Sequence, residues 1–152
     1  MEATIQQLTP ADLPLLNALM QVFGEAFDDL PTYTGKPPAP EYQQKLLGSE
    51  AFIALVAVEP NGTVIGGLAA YELPKFEQAR SEIYLYDLAV LADYRRKGVA
   101  TSLINALRRI AADRGAYVVF VQADTGIEDA AAIALYSKLG QREDVLHFDF
   151  SV

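Results

Sequence analysis

The chain has 152 residues, 51% hydrophobic and 21% charged, with 12 Lys and Arg against 20 Asp and Glu for a net charge of −8. That length is enough for one domain with a real core; no run approaches the ~18 apolar residues of a membrane span, and the acidic balance disfavours nucleic acid as a partner. Zero cysteines exclude a disulfide framework and a thiolate nucleophile, the single histidine argues against a zinc site, and the lack of a basic-then-apolar start points to the cytoplasm.

Residues 3–8 read as a short strand. Thr9 then serves as a helix N-cap with Pro10 at the first helical position and Asp12 at the third. Leu13, Leu16, Leu19, Met20 and Phe23 form an apolar face at helical spacing, with a stop near Gly24 or Phe27. The segment from Asp28 through Pro38 reads as a rigid, irregular connection, and Pro40 to Leu47 as a second short helix. Asn61-Gly62 between two apolar runs predicts a hairpin of strands 51–58 and 63–73. Residues 73–80 are a loop. The run 82–90 is apolar at nearly every position of its second half, as in a strand covered on both faces.

A cationic loop follows, Arg95-Arg96-Lys97-Gly98-Val99-Ala100, opening a helix over 99–114. Its stripe is Leu103, Ile104, Leu107, Ile110 and Ala111, and Gly115 ends it. Arg108, Arg109 and Arg114 lie in the later turns, where cations suit the helix dipole, and read as structural. Tyr117–Val121 is β-branched and aromatic, hence a buried strand. Joined to 82–90 by a helical crossover, it lies parallel to that strand. A last helix spans about Asp129–Leu139, closed by Gly140, and a last strand is expected over Val145–Phe150.

Strand, cationic loop and helix start in that order make an anion site. The first N–H groups of a helix lack internal partners and carry the positive end of its dipole. Gly98 lets the main chain approach a bulky anion, and three full positive charges surround it. A phosphate or pyrophosphate suits such a loop. Neither G-x-G-x-x-G nor a P-loop motif is present.

Written as R-x-x-G-x-A between strand 82–90 and helix 99–114, the loop resembles the pyrophosphate loop of the GNAT N-acetyltransferases. The resemblance implies an α/β (mixed α+β) fold in one domain, 1–152, with a mixed central sheet flanked by helices and with strands 82–90 and 117–123 splayed apart. It implies acetyl-coenzyme A as cofactor. Leu88, Ala89 and Val90 would offer main-chain contacts to the pantetheine arm, and Arg95, Arg96, Lys97, Gly98, Val99, Ala100 and Thr101 would hold the pyrophosphate. The Val90 N–H would polarise the thioester carbonyl. Tyr136, in Ala134-Leu135-Tyr136, matches the tyrosine that serves as general acid toward the leaving thiolate.

The acceptor arrives as an ammonium and must lose a proton before it attacks. Asp124, at the end of the second splayed strand, is slightly preferred as base. Asp87 stands out because an aspartate inside an apolar strand is costly unless paired or functional, and Glu82 is a third choice. The competing readings are an ion pair of Asp87 with a residue such as Arg80, and capping of the loop at Gly126 by Asp124. His147 reads as a hydrogen-bonded structural residue.

Longer strings resemble the class I aminoglycoside 3-N-acetyltransferases of gentamicin type. They are Leu73-Pro74-Lys75-Phe76-Glu77-Gln78, Arg80 through Val90, Tyr117 with Val121-Gln122-Ala123-Asp124, and the stretches around Tyr136 and His147. The loop 126–132 departs from that pattern by its length. The resemblance implies transfer of an acetyl group to the 3-amino group of deoxystreptamine, antibiotic resistance, and direct attack with both substrates bound. A polycationic substrate fits acidic residues at Glu25, Asp28 and Asp29 with Tyr33, at Glu82, at Glu128 and Asp129, and at Glu143 and Asp144. The readings left open are a polyamine or protein amine as acceptor, a coenzyme A-binding sensor without turnover, and a homodimer.

Overall fold

The computed structural model describes residues 3–152. Two compact units emerge, one ending at Val121 and one running Gln122–Val152. The first is a five-stranded mixed sheet with the strands in sequence order. β1 (Thr4–Gln7), β2 (Phe52–Val58), β3 (Val64–Pro74) and β4 (Ser81–Val90) pair antiparallel in turn, and β5 (Ala116–Val121) lies parallel to β4. The hairpin at Asn61-Gly62 forms as its sequence dictates.

β2 is buried along almost its whole length because helices cover both faces of the sheet. On one face Ile53, Leu55 and Ala57 meet Leu103, Leu107 and Ala111 of α4 (Val99–Arg114). On the other, Phe52, Ala54 and Val56 meet Leu16, Leu19, Val22 and Phe23 of α1 (Leu13–Ala26). Each fully buried Leu or Val contributes about 1.5–3 kcal/mol. α4 occupies the residues its stripe predicts, and its Arg114 bonds the Glu50 carbonyl (2.6 Å) and the Glu72 carboxylate (2.7 Å).

Four local expectations are corrected. Pro10 does not open α1. The Asp12 carboxylate folds back to accept from the Thr9 N–H (2.8 Å) and hydroxyl (3.0 Å), making a turn, and the helix starts at Leu13. The connection after Phe27 is not irregular throughout but contains α2 (Leu30–Thr34), capped by Asp29, which accepts from the Thr32 N–H. Leu30 packs so close to Gly24 that a β-carbon there would lie 2.8 Å from its Cδ2. α3 (Pro40–Leu47) then leads into the sheet, as its sequence predicts. β5 is not a buried strand, since Tyr117 and Val118 are exposed.

The fourth correction lies in the second unit, where α5 (Ala130–Leu139) forms as expected after a 3-10 turn at Ile127–Asp129. Residues 141–152 form neither helix nor strand, so the strand expected over Val145–Phe150 is absent. Alternating apolar residues make a strand only where a neighbour completes the ladder.

Candidate active site

β4 organises the site through one irregularity. Its Ile83 and Leu85 point into the α4 side of the core. Strict alternation would send Asp87 after them, where an unpaired carboxylate is costly. The pairing jumps instead: Ala69 faces Asp87 and Ala70 faces Leu85, leaving Tyr86 as an extra, bulged residue. The parity of the strand is thereby reset. Tyr86 contacts Tyr84, and Asp87 turns to the α1 side, where it accepts a hydrogen bond from the Tyr33 hydroxyl of α2 at 2.9 Å. Leu88 returns to the α4 side and Ala89 to the α1 side.

Tyr33 is fixed by its ring, which lies 5.6 Å from Phe23 and 5.7 Å from Phe27. Burial pushes the Asp87 carboxyl above its ordinary range, and the Tyr33 bond only partly offsets this. Burial, then the hydrogen bond and charge of Asp87, push the Tyr33 phenol upward, so it stays a donor. A carboxylate that holds its proton more tightly than usual is a better base. Arg80 is not the partner of Asp87, because its guanidinium lies 3.8 Å over the Tyr117 ring.

Beyond the bulge, β4 has a free edge. Its pairing with β5 stops at Leu85 and Val121, while β4 continues to Val90. The Leu91 N–H bonds the Ile65 carbonyl (2.9 Å). By the alternation of an antiparallel ladder, Val90 and Leu88 turn their N–H and C=O groups away from β3, toward the edge that β5 leaves open. Ala89 spends its own on β3. An extended chain with amide groups can therefore add to β4 at Leu88 and Val90.

The basic loop starts where that edge ends. A 3-10 turn, Ala92–Tyr94, follows β4, and Arg95 donates through Nε to the Val90 carbonyl at 3.0 Å. Arg96 (φ 61°) and Gly98 (φ 81°) are both left-handed just before α4, whose first N–H groups have no partner within the helix. Arg96 and Lys97 are exposed, with Lys97 Nζ 5.6 Å from the Tyr94 ring centre. A diphosphate joined to an amide-bearing arm fits this geometry: Arg96 to Thr101 for the phosphates, Leu88 and Val90 for the arm.

The other acidic candidates belong to both units. Glu25 accepts from the Gln21 amide (3.0 Å), Asp28 is left-handed at φ 52°, and Asp29 is engaged as the α2 cap. Glu82 pairs with Lys75 (3.5 Å) and accepts from Tyr117 (3.0 Å). In the second unit, the Asp129 carboxylate accepts from the Asp124 N–H (2.8 Å), so Asp129 is the residue that ties this loop. Asp144 lies 3.9 Å from Arg142, and His147 bonds Asp149 at 2.9 Å. Glu128 lies in the 3-10 turn before α5, Glu143 follows that helix, and Tyr136 lies within it. The sequence reading does not single out Tyr71 of β3 or Tyr84 and Tyr86 of β4; the signal for the last two is a tyrosine at alternate positions just before Asp87.

Residues 16–141 match the acetyltransferase (GNAT) family. The chain belongs to that family and is an acetyltransferase, and members of the family use acetyl-coenzyme A. It is similar to the solved structure of an aminoglycoside acetyltransferase, HMB0005, from an uncultured soil metagenomic sample. The two share 59% identity over 100% of this chain and 99% of that one, with a TM-score of 0.98. A second aminoglycoside acetyltransferase, meta-AAC0020, also from an uncultured soil metagenomic sample and solved with sisomicin, is 31% identical over 99% of this chain and 96% of that one, TM-score 0.89. The ribosomal-protein-alanine N-acetyltransferase of Brucella melitensis biovar Abortus 2308, at 23% identity over 98% and 99% of the two chains and TM-score 0.73, shares the fold. A search of curated protein sequences finds no match.

Proposed function

We propose that the protein is a single-domain, cytoplasmic N-acetyltransferase that moves an acetyl group from acetyl-coenzyme A to the 3-amino group of the deoxystreptamine ring in gentamicin-type aminoglycosides. Both substrates are bound together, since no cysteine is present to carry an acyl group. Acetyl-coenzyme A supplies the acetyl group as an activated thioester. Leu88 and Val90 hold its arm, Arg96 to Thr101 hold its diphosphate while Arg95 braces the Val90 carbonyl, and the Val90 N–H polarises the acyl oxygen.

The observation that carries the acceptor side is the reset parity of β4. It turns Asp87, half-buried and bonded by Tyr33, to the face opposite Leu85, three residues before the free N–H of Val90. Asp87 takes the proton that the acceptor ammonium must lose, and Asp124 is the second candidate for that role. Tyr136 gives its phenolic proton to the departing sulfur. The two aminoglycoside acetyltransferases, at 59% and 31% identity, support an aminoglycoside over a polyamine or protein amine.

The test is a panel of gentamicin, sisomicin, spermidine and a peptide amine, with acetyl-coenzyme A and release of free thiol as readout. Turnover with gentamicin and sisomicin, and acetylation at N3 by NMR of the products, is the expected result. Turnover with spermidine or the peptide alone would change the acceptor. Tight coenzyme A binding with no thiol released by any amine would make the protein a sensor.

A further inference from the structure

The face of the sheet that carries Asp87 bears a feature the acetyl-transfer chemistry does not require. Phe52, Tyr71, Tyr84 and Phe120 stand opposite one another on four consecutive strands, β2 to β5, in one cross-strand row. Their rings touch in sequence, Phe52 to Tyr71 at 5.4 Å and Tyr84 to Phe120 at 4.7 Å with the planes 14° apart. The bulged Tyr86 closes the gap in the middle, 5.5 Å from Tyr71 and 5.4 Å from Tyr84, edge-on to both.

Cross-strand aromatic pairs stabilise sheets by about 0.2–1 kcal/mol each, and that accounts for Phe52 and Phe120. It does not account for Tyr86. This residue stands outside the ladder register and keeps 55% of its surface exposed, and its neighbour Tyr71 keeps 36%. A solvated sheet face ordinarily carries polar residues in alternation. Here two tyrosine rings lie open next to a half-buried carboxylate, and the charge of Asp87 reaches both Tyr71 and Tyr84.

An aromatic face is electron-rich, so it attracts C–H groups polarised by neighbouring oxygens and, more strongly, ammonium groups. A saturated ring with hydroxyl and ammonium substituents on its rim offers both at once. A linear amine offers only the ammonium, and an apolar ring offers neither. The net charge of −8 and the carboxylate of Asp87 complete the complementarity to a polycation.

We propose that Tyr86 and the edge-on Tyr71 beside it form an aromatic platform against which one saturated ring of an amino-sugar or aminocyclitol polycation packs, setting which amine reaches Asp87. This rests on the aminoglycoside reading above and adds to it the residues that select a ring-shaped acceptor. Tyr86 is a binding and specificity residue, and the bulge that turns Asp87 outward also lifts Tyr86 clear of the ladder.

The experiment titrates sisomicin into the protein by calorimetry, for the wild type, Tyr86→Ala, Tyr86→Leu, Tyr86→Phe and Tyr71→Ala, with the Michaelis constant for acetyl-coenzyme A and the unfolding midpoint measured for each. A ring–ammonium contact of this kind is expected to be lost in Tyr86→Ala as roughly a tenfold weaker dissociation constant. Tyr86→Phe retains the affinity and Tyr86→Leu does not, while the constant for acetyl-coenzyme A stays unchanged. Unaltered sisomicin affinity in both alanine variants overturns the proposal, as does full affinity in Tyr86→Leu, which would reduce the contact to apolar area. If the wild type binds sisomicin and weakens in this pattern yet releases no thiol, the platform stands and the acetyl-transfer reading falls. If it turns sisomicin over with no dependence on either ring, the reading stands and the platform falls.

Discussion

Tyr33→Phe is the sharpest single probe of the acceptor side. The substitution removes one oxygen atom and leaves the ring between Phe23 and Phe27, so the packing of α2 is retained. What it deletes is the 2.9 Å bond to Asp87. A hydrogen bond to a charged acceptor contributes about 1.5–3 kcal/mol when well buried, and with both side chains only half-buried a figure of about 1 kcal/mol is appropriate. The bond favours the ionised carboxylate, so its loss raises the Asp87 pKa further. If Asp87 is the base, the acid limb of kcat/KM for acetyl transfer must move to higher pH, and the plateau above it changes little. The assay is a pH–rate profile from pH 5 to 9, with the unfolding midpoint as a control. An acid limb that stays in place in a folded variant would refute the role of Asp87 and shift the assignment to Asp124.

Three further substitutions probe the other parts. Gly98→Ala meets no atom within 4 Å but must hold φ at 81°, a strain of about 1–2 kcal/mol; calorimetry should show about a tenfold loss of coenzyme A affinity, with the acceptor Michaelis constant unchanged. Arg114→Gln leaves the Glu72 carboxylate with only the Ser81 hydroxyl (2.7 Å). Burial raises the Glu72 pKa, but the bonds from Ser81 and Arg114 outweigh it and hold the net value below the ordinary 4.5. The contribution of the pair is therefore present above pH 4.5 and fades as pH falls through the lowered value. Urea unfolding should show a loss of about 1–3 kcal/mol at pH 7 that shrinks as pH falls below 4.5, leaving the part owed to the Glu50 carbonyl. Tyr136→Phe should lower kcat far more than it raises either Michaelis constant in the thiol-release assay, and an unchanged kcat removes Tyr136 from the mechanism.

The elements that sequence reasoning placed correctly are those whose ends are set locally. α4 begins after Gly98 and stops before Gly115, and both glycines are left-handed, so the boundary is written in residues that tolerate that conformation. The hairpin at Asn61-Gly62 is of the same kind. Where the outcome depends on a partner far along the chain, the pattern alone failed. The alternating residues 145–150 look like a strand, but nothing in that segment specifies what its backbone would pair with. α2 was hidden by its proline: Pro31 falls in the first turn of a helix capped by Asp29, where a missing N–H costs nothing.

The bulge shows why the basic loop was easier to find than the acceptor side. The loop works through charge and main-chain direction, which Arg95-Arg96-Lys97-Gly98 announces in consecutive residues. Asp87 was noticed as an anomaly on β4, but the face it would occupy was not legible, because face is a matter of parity and parity is fixed by the partner strand. Ala69 and Ala70 of β3 pair with residues two apart on β4, and no glycine or proline marks the place. Were Tyr86 paired in a regular ladder instead of bulged, Asp87 would follow Leu85 into the Leu103 and Leu107 core, and the N–H of Val90 would exchange its free edge for β3. One extra residue on β4 therefore keeps the candidate base, the platform ring and the acyl-facing N–H in register with one another, a coupling that no single position on the strand reveals.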